Sequence, residues 1–382
     1  MSDWTEDDIK YGLAGVIADK TAVSKVMPET NSLTYRGFAV QDLAKDCRFE
    51  EVAYLLLQGK LPTAEELDLF NEQDRKARGL PSDLIAVMRR FNKQAHPMDT
   101  LRTAISYLGQ ADPNANDSSR RGLLAKAKRL YSKIPQMVAV DYRLRNGLDP
   151  IDPDRELGFS ENFFHMCFGE VPAPEIVKAF DISMTLYAEH SFNASTFTAR
   201  VIASSTSDIY SAVVGAVGSL KGPLHGGANE AVMHMLNEVG GPDKARAWML
   251  DALEKKKKIM GFGHRVYRSG DSRVPTMTDA YKAMVDIIDT PEAKRLWETS
   301  RILDETMVEA KGIYPNLDFP AGPSYYLMGF EIPMFTPIFV VSRITGWAAH
   351  IIEQFSDNKL IRPLSAYVGP EQRPVPEIGS RG

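Results

Sequence analysis

Phe335-Thr-Pro-Ile-Phe-Val-Val-Ser-Arg343-Ile-Thr-Gly-Trp-Ala-Ala-His350-Ile-Ile352 is the most apolar run in the chain, and its interruptions decide how it folds. Pro337, Arg343 and His350 break it, so it reads as the buried core helix of a globular protein and not as a membrane span. Arg343 lies among Phe339, Val340, Val341, Ile344 and Trp347, with no carboxylate close in sequence. A buried cation needs a counter-charge, and an anionic substrate would supply one.

Working outward, helical punctuation recurs along the chain. Thr63-Ala-Glu-Glu66 after Pro62 is a capping box, opening a helix that runs to about residue 78 before Gly79 and Pro81. The same signals predict helices at 49–58, 98–108, 123–144, 160–168, 174–189, 209–220, 229–238, 242–258, 278–288, 291–311 and 333–355. Only Ser32-Leu-Thr-Tyr-Arg-Gly37 reads as extended. The expected fold class is all-α. Helix 209–220 has almost no polar face and must be covered inside a large domain or at a subunit contact.

The 382 residues favour two domains, or one large helical domain with an inserted lobe. With 45 basic and 50 acidic residues the formal charge is −5, which argues against nucleic acid as the main partner. Cys47 and Cys167 are the only cysteines and form no C-x-x-C pair, so neither a disulfide framework nor a thiolate metal site is expected. The acidic, polar N-terminus lacks a signal or transit pattern, and the expected compartment is the cytoplasm.

Three segments hold the chemistry. In Gly222-Pro-Leu-His225-Gly-Gly, His225 precedes a helix whose N-terminus disfavours imidazolium, leaving a neutral ring able to donate a hydrogen bond to an enolate. Gly261-Phe-Gly263-His264 is followed by Arg265, Arg268, Asp271 and Arg273, a glycine-rich backbone beside planar cationic forks suited to carboxylate or phosphate. It is not a dinucleotide fingerprint, because the third glycine and the preceding strand are missing. In Pro315-Asn-Leu-Asp318-Phe-Pro320, bulky neighbours of a loop carboxylate would strip its water and raise its pKa, making it a better base toward a carbon acid. The parts suit formation of a carbon nucleophile beside a carbonyl.

Other residues stay ambiguous. His190 reads as a ligand-binding group or as a histidine answering a helix C-terminus. Lys255 to Lys258 reads as surface charge or as a contact for the phosphates of a large cofactor. His190, His225 and His264 share no metal-ligand spacing, and no metal is expected.

The three segments, in this order and spacing, resemble the catalytic segments of the citrate synthase family, and the resemblance extends over nearly the whole chain. Tyr187 to Arg200, Thr345 to Gln354 and Ile361 to Pro370 are similar to the 2-methylcitrate synthases within it. The resemblance implies condensation of propionyl-CoA, and also acetyl-CoA, with oxaloacetate. A homodimer of helical subunits is implied, with a large domain (1–226 and 330–382) and a smaller mobile one (227–329). Asp318 would take the α-proton, His225 stabilise the enol and His264 polarise the keto group. His190, Arg273, Arg343, Arg75 and, from the other subunit, Arg362 would bind oxaloacetate. Ile259, Met260, Gly261, Phe262 and Gly263 would hold CoA, with Lys257, Arg268 and Lys311 at its phosphates. Two other readings compete: a citrate synthase using mainly acetyl-CoA, and a non-catalytic binder of CoA or dicarboxylates.

Overall fold

The computed structural model describes residues 4–264, 267 and 270–381. Helices α1 (Val40–Asp46), α2 (Phe49–Gln58), α3 (Ala64–Ala77), α4 (Ser82–Arg89), α5 (Pro97–Gln110), α6 (Arg120–Arg145), α7 (Phe159–Phe168) and α8 (Pro174–Tyr187) precede His190. Then follow α9 (Ala194–Ser204), α10 (Ile209–Leu220), α11 (Ala228–Val239), α12 (Pro242–Glu254), α13 (Val274–Ile288), α14 (Pro291–Lys311), α15 (Asp318–Leu327) and α16 (Phe335–Ser356). The all-α expectation holds, with one small addition. Strands β1 (Ser24–Met27), β2 (Ser32–Tyr35) and β3 (Phe38–Ala39) form an antiparallel meander in which Ser24 faces Tyr35.

Local chemistry explains the helix boundaries. Thr63 Oγ1 accepts from the Glu66 N–H (3.2 Å) while the Glu66 carboxylate accepts from the Thr63 N–H (3.0 Å), the reciprocal cap read from the sequence. Two predicted helices stop short: α8 ends at Tyr187, releasing Glu189 and His190 into a turn, and α12 ends at Glu254, ahead of the whole lysine run. One predicted loop is a helix, since Asp318 is the first residue of α15. Pro320 lies in its first turn, where a backbone N–H has no helical partner to lose.

Helix α16 forms the axis of the core and packs against α2, α6, α8, α9 and α10. Ile338, Val340, Val341, Ile344 and Trp347 along it are wholly buried, each such side chain contributing about 1.5–3 kcal/mol by leaving water. The segment Ile332–Ser356 is long and apolar enough to cross a membrane, but 94% of its most apolar window is buried within the protein. Helix α10 is covered in the same way by α5 and α9.

Residues Thr21–Lys359 form one compact unit, which holds α1 to α16. Residues up to Lys20 and from Leu360 onward form a second, small unit that carries the exposed Arg362. The sequence-based boundaries after 226 and 329 fall inside the first unit, one in the turn before α11 and the other just beyond α15.

Candidate active site

The loops that carry His264 and Asp318 are zipped together by backbone. Gly263 N–H donates to Tyr314 O (2.8 Å), Asn316 N–H donates to Gly261 O (2.9 Å), and the Asn316 side chain donates to Gly263 O (3.0 Å). Phe262 and Pro315 form a β-bridge, and the rings of Phe262 and Phe319 lie 4.6 Å apart. Gly261 has φ +84°, and a Cβ there would sit 2.6 Å from Val232 Cγ2, so only glycine fits. Asp271 adds a further tie, accepting from the Leu317 N–H at 3.3 Å.

Asp318 opens α15, partly buried, and accepts a hydrogen bond from the Tyr187 hydroxyl at 2.7 Å. Burial raises its pKa to about 6, against the opposing pull of the Tyr187 bond and of Arg273 and Arg343. The desolvation argument made from the sequence therefore holds, although the carboxylate stands on a helix and not in a loop.

His225 sits in the turn between α10 and α11. Its own N–H donates to Gly222 O (2.9 Å) and the Gly226 N–H donates to Leu220 O (2.9 Å); a Cβ on Gly226 would lie 2.6 Å from that same carbonyl. The ring is held neutral, chiefly by burial, and it is braced by a helix other than the one the sequence suggested. His225 Nε2 accepts from the backbone N–H of Ser195 (3.2 Å), in the first turn of α9, and contacts Ser195 Oγ at 2.8 Å. Ser195 Oγ donates to Asn193 Oδ1 (2.8 Å) and accepts from Trp347 Nε1 (3.1 Å), so its hydroxyl proton is already committed. With Nε2 an acceptor, the imidazole proton is on Nδ1. Burial and the nearby Arg343 cation lower the pKa of His225 to about 3.

His264 is poised with the opposite tautomer. Its Nδ1 accepts from the Tyr267 N–H (3.2 Å), which assigns the proton to Nε2, and burial together with Arg273 lowers its pKa to about 4. The His190 ring lies 4.9 Å from that of His264. His190 is buried, its Nε2 has no partner among the described residues, and burial, Arg273 and His264 push its pKa well down. The turn that bears it is pinned by the meander: Tyr35 donates to Glu189 O (2.9 Å), and Ser24 Oγ donates to Glu189 Oε1 (2.9 Å) while accepting from the Ser191 N–H (2.9 Å).

The two core arginines differ. Arg343, 1% exposed, spends Nε on Tyr187 O (2.6 Å) and lies over the Phe339 ring at 4.6 Å, while its buried Nη1 has no partner among the described residues. Burial lowers its pKa to about 10, so it remains a cation. Arg273 is already answered by a carboxylate: Nε and Nη2 grip Asp271 at 2.9 and 2.6 Å, and Nη1 reaches Leu186 O at 3.4 Å. Burial opposes the charge on Asp271, but Arg273 outweighs it and holds the carboxyl far below the usual range.

These groups form one connected cluster. Tyr187 touches Asp318 through its hydroxyl, Arg343 through its carbonyl and Phe339 through its ring, at 4.2 Å; Phe339 in turn lies 6.4 Å from the His225 ring. Tyr187, Ser195, Asp271 and Phe339 escaped the sequence reading as site residues. Tyr187 and Ser195 stood within a quoted motif, and Asp271 stood two residues from Arg273, the only signals available.

Other predicted residues lie elsewhere. Arg75, on α3, lines a separate groove with Arg48 and Arg155. Lys257 is engaged by Glu238 (2.7 and 2.9 Å) and stacks over Trp248. Lys255 is paired with Asp251 at 2.8 Å. Ile259 and Met260 are half-buried before the zipped loop, and Lys311 is exposed at the end of α14. Arg268 lies outside the described residues.

Comparison with known proteins points one way. The family model described as citrate synthase, C-terminal domain, matches residues 12–364. A 2-methylcitrate synthase of Mycobacterium tuberculosis is 58% identical over 97% of this chain and 93% of its own length. A citrate synthase of Mycolicibacterium smegmatis is 55% identical over 98% of this chain and 99% of its own. The structure of a citrate synthase of Thermoplasma acidophilum, in ternary complex with carboxymethyl coenzyme A and oxaloacetate, superposes with a TM-score of 0.91 at 30% identity, covering 98% of this chain and 99% of that one.

Proposed function

This chain belongs to the citrate synthase family, and from that premise we propose that it condenses propionyl-CoA, and also acetyl-CoA, with oxaloacetate and water to give 2-methylcitrate or citrate and free CoA. The carrying observation is a carboxylate of raised pKa, Asp318, in the same cluster as two neutral imidazoles of opposite tautomer.

In this reading Asp318 removes the α-proton of the acyl-CoA, and His225 donates from Nδ1 to the thioester oxygen as charge gathers there. The enol carbon attacks the keto carbon of oxaloacetate, forming the new carbon–carbon bond, while His264 donates from Nε2 to the keto oxygen. Water then cleaves the thioester. The buried, unpartnered Nη1 of Arg343 and Nε2 of His190 supply the donors for a substrate carboxylate. Arg273 is the weaker candidate, since a carboxylate already occupies its fork.

The backbone from Ile259 to Gly263 remains the candidate CoA contact, with Lys311 at its phosphates. The same reading includes a cytoplasmic homodimer in which Arg362 of the partner subunit completes the anion site, and a mobile lobe spanning 227–329 that excludes water from the enol. Replacing Asp318→Asn tests the base assignment: condensation is abolished while oxaloacetate still binds, and undiminished turnover refutes it. Steady-state rates with both donors test the donor. One methylene is worth only about 1–3 kcal/mol, so both should react. A higher kcat/KM for propionyl-CoA is expected, and a strong preference for acetyl-CoA overturns that choice.

A further inference from the structure

One buried carboxylate has no part in the chemistry proposed above. Glu189 is wholly inaccessible, on the turn that also bears His190. Its Oε1 accepts from the Ser24 hydroxyl (2.9 Å) and lies 2.8 Å from His350 Nε2, while Oε2 is buried with no partner among the described residues. Helix α16 makes room for it at Gly346, where a Cβ would sit 2.4 Å from Oε2.

His350 does not balance the charge. Arg200 Nη1 approaches His350 Nδ1 at 3.1 Å, and because an arginine can only donate, the ring proton is on Nε2 and the imidazole is neutral. Arg200 itself pairs with Glu353 at 2.8 Å. The cation left to answer Glu189 is Arg343, three residues before Gly346 on α16, whose Nε holds Tyr187 O two residues from Glu189. Burial opposes the Arg343 charge, and Glu189 is the strongest of the charges that sustain it. Burial opposes the Glu189 charge too, but His350, Arg343 and Ser24 outweigh it and hold the carboxyl below its usual range.

The two charges nevertheless do not touch. No hydrogen bond joins them, and both Glu189 Oε2 and Arg343 Nη1 stay without a partner among the described residues. Asp271 differs, since it fills the fork of Arg273. A carboxylate fixed by Ser24 and His350 at a short remove steadies a buried cation without occupying it, and its field opposes any incoming anion in proportion to that anion's charge.

Resting on the reading of Arg343 as the partner of a substrate carboxylate, we propose that Glu189 is a positioning residue that acts through Arg343 to limit affinity, weakening the hold on the dicarboxylate substrate and, more strongly, on the tricarboxylate product. The test uses the full-length enzyme. Glu189→Gln keeps the shape and removes the charge, so the KM for oxaloacetate should fall roughly threefold or more, and the inhibition constant of citrate against oxaloacetate by a larger factor. The KM for the acyl-CoA should not move. Glu189→Asp keeps the charge and shortens the reach, and it should tighten neither ligand.

A structural role alone predicts the opposite sign, weaker binding in both variants, and that result overturns the proposal. Unchanged affinity in Glu189→Gln overturns it as well, while sparing the reading of Arg343. Unchanged oxaloacetate affinity in Arg343→Leu removes that reading and this inference together. A second measurement does not need the single Glu189 variant to fold: Arg343→Leu strands the carboxylate, so adding Glu189→Gln to it should recover melting temperature. A double variant no more stable than Arg343→Leu refutes the counter-charge.

Discussion

The Tyr187 hydroxyl donates to Asp318 Oδ1 at 2.7 Å, and this bond stabilises the ionised form of a carboxylate that burial pushes toward protonation. Removing it in Tyr187→Phe should raise the Asp318 pKa further above about 6, moving the acid limb of kcat/KM to higher pH. A pH–rate profile unchanged from wild type would show that the bond does not tune the base.

The base role proposed for Asp318 assigns it the acid limb of the wild-type profile. The base must be ionised, so activity is present above about pH 6 and is lost as pH falls through that value. His225 and His264, lowered to about 3 and 4, stay neutral throughout this window and add no second break there. Rates measured from pH 5 to pH 8 at saturating salt check the assignment.

Arg343 should control the affinity for the dianionic substrate. Truncating one partner of a buried charge pair costs about 2–5 kcal/mol, so Arg343→Leu should raise the KM for oxaloacetate by roughly 30-fold or more. The KM for the acyl-CoA should change far less. Equal losses for both substrates would point to a general disturbance of α16.

Ser195 provides a sharper dissection. Ser195→Ala keeps the backbone N–H that His225 Nε2 accepts, so turnover should stay within about tenfold of wild type. The same change leaves the buried Trp347 N–H unpaired, at a cost of about 1–3 kcal/mol that thermal unfolding should register. Collapse of activity with an unchanged melting temperature would assign the chemistry to the hydroxyl instead.

Gly261→Ala should lower stability and turnover together. The added methyl meets Val232 and Phe319 at a backbone φ of +84° that L-residues avoid, so the zipped loops must part to admit it. Measuring the melting temperature alongside kcat checks the coupling.

Much of this was legible in residues whose neighbours in sequence are also their neighbours in space. Thr63 and Glu66 announce a helix because their capping bonds are local, and Phe335–Ser356 announces a core because its composition leaves no other place for it. Asp318 misled on structure, since Pro320 and Pro323 read as loop although α15 accommodates both. The agents of pKa control were harder to see. Tyr187 meets Asp318 across 131 positions and Ser195 meets His225 across 30, and only folding brings such pairs together. Asp271 shows the reverse failure: the partner of Arg273 stood two residues away, and attention to an outside anion hid it.

The backbone ladder from Gly261–Gly263 to Tyr314–Asn316 makes a rigid yoke of two candidate catalytic segments that the chain separates by some fifty residues. The imidazole at 264 and the carboxylate at 318 are harnessed to one another before either meets a reactant, so any rocking of this part of the protein delivers them in step. A lesion anywhere along the yoke would therefore disarm the proposed electrophile and the proposed base at one stroke, while the Ser195-braced ring at 225, hitched to other helices, would keep its place.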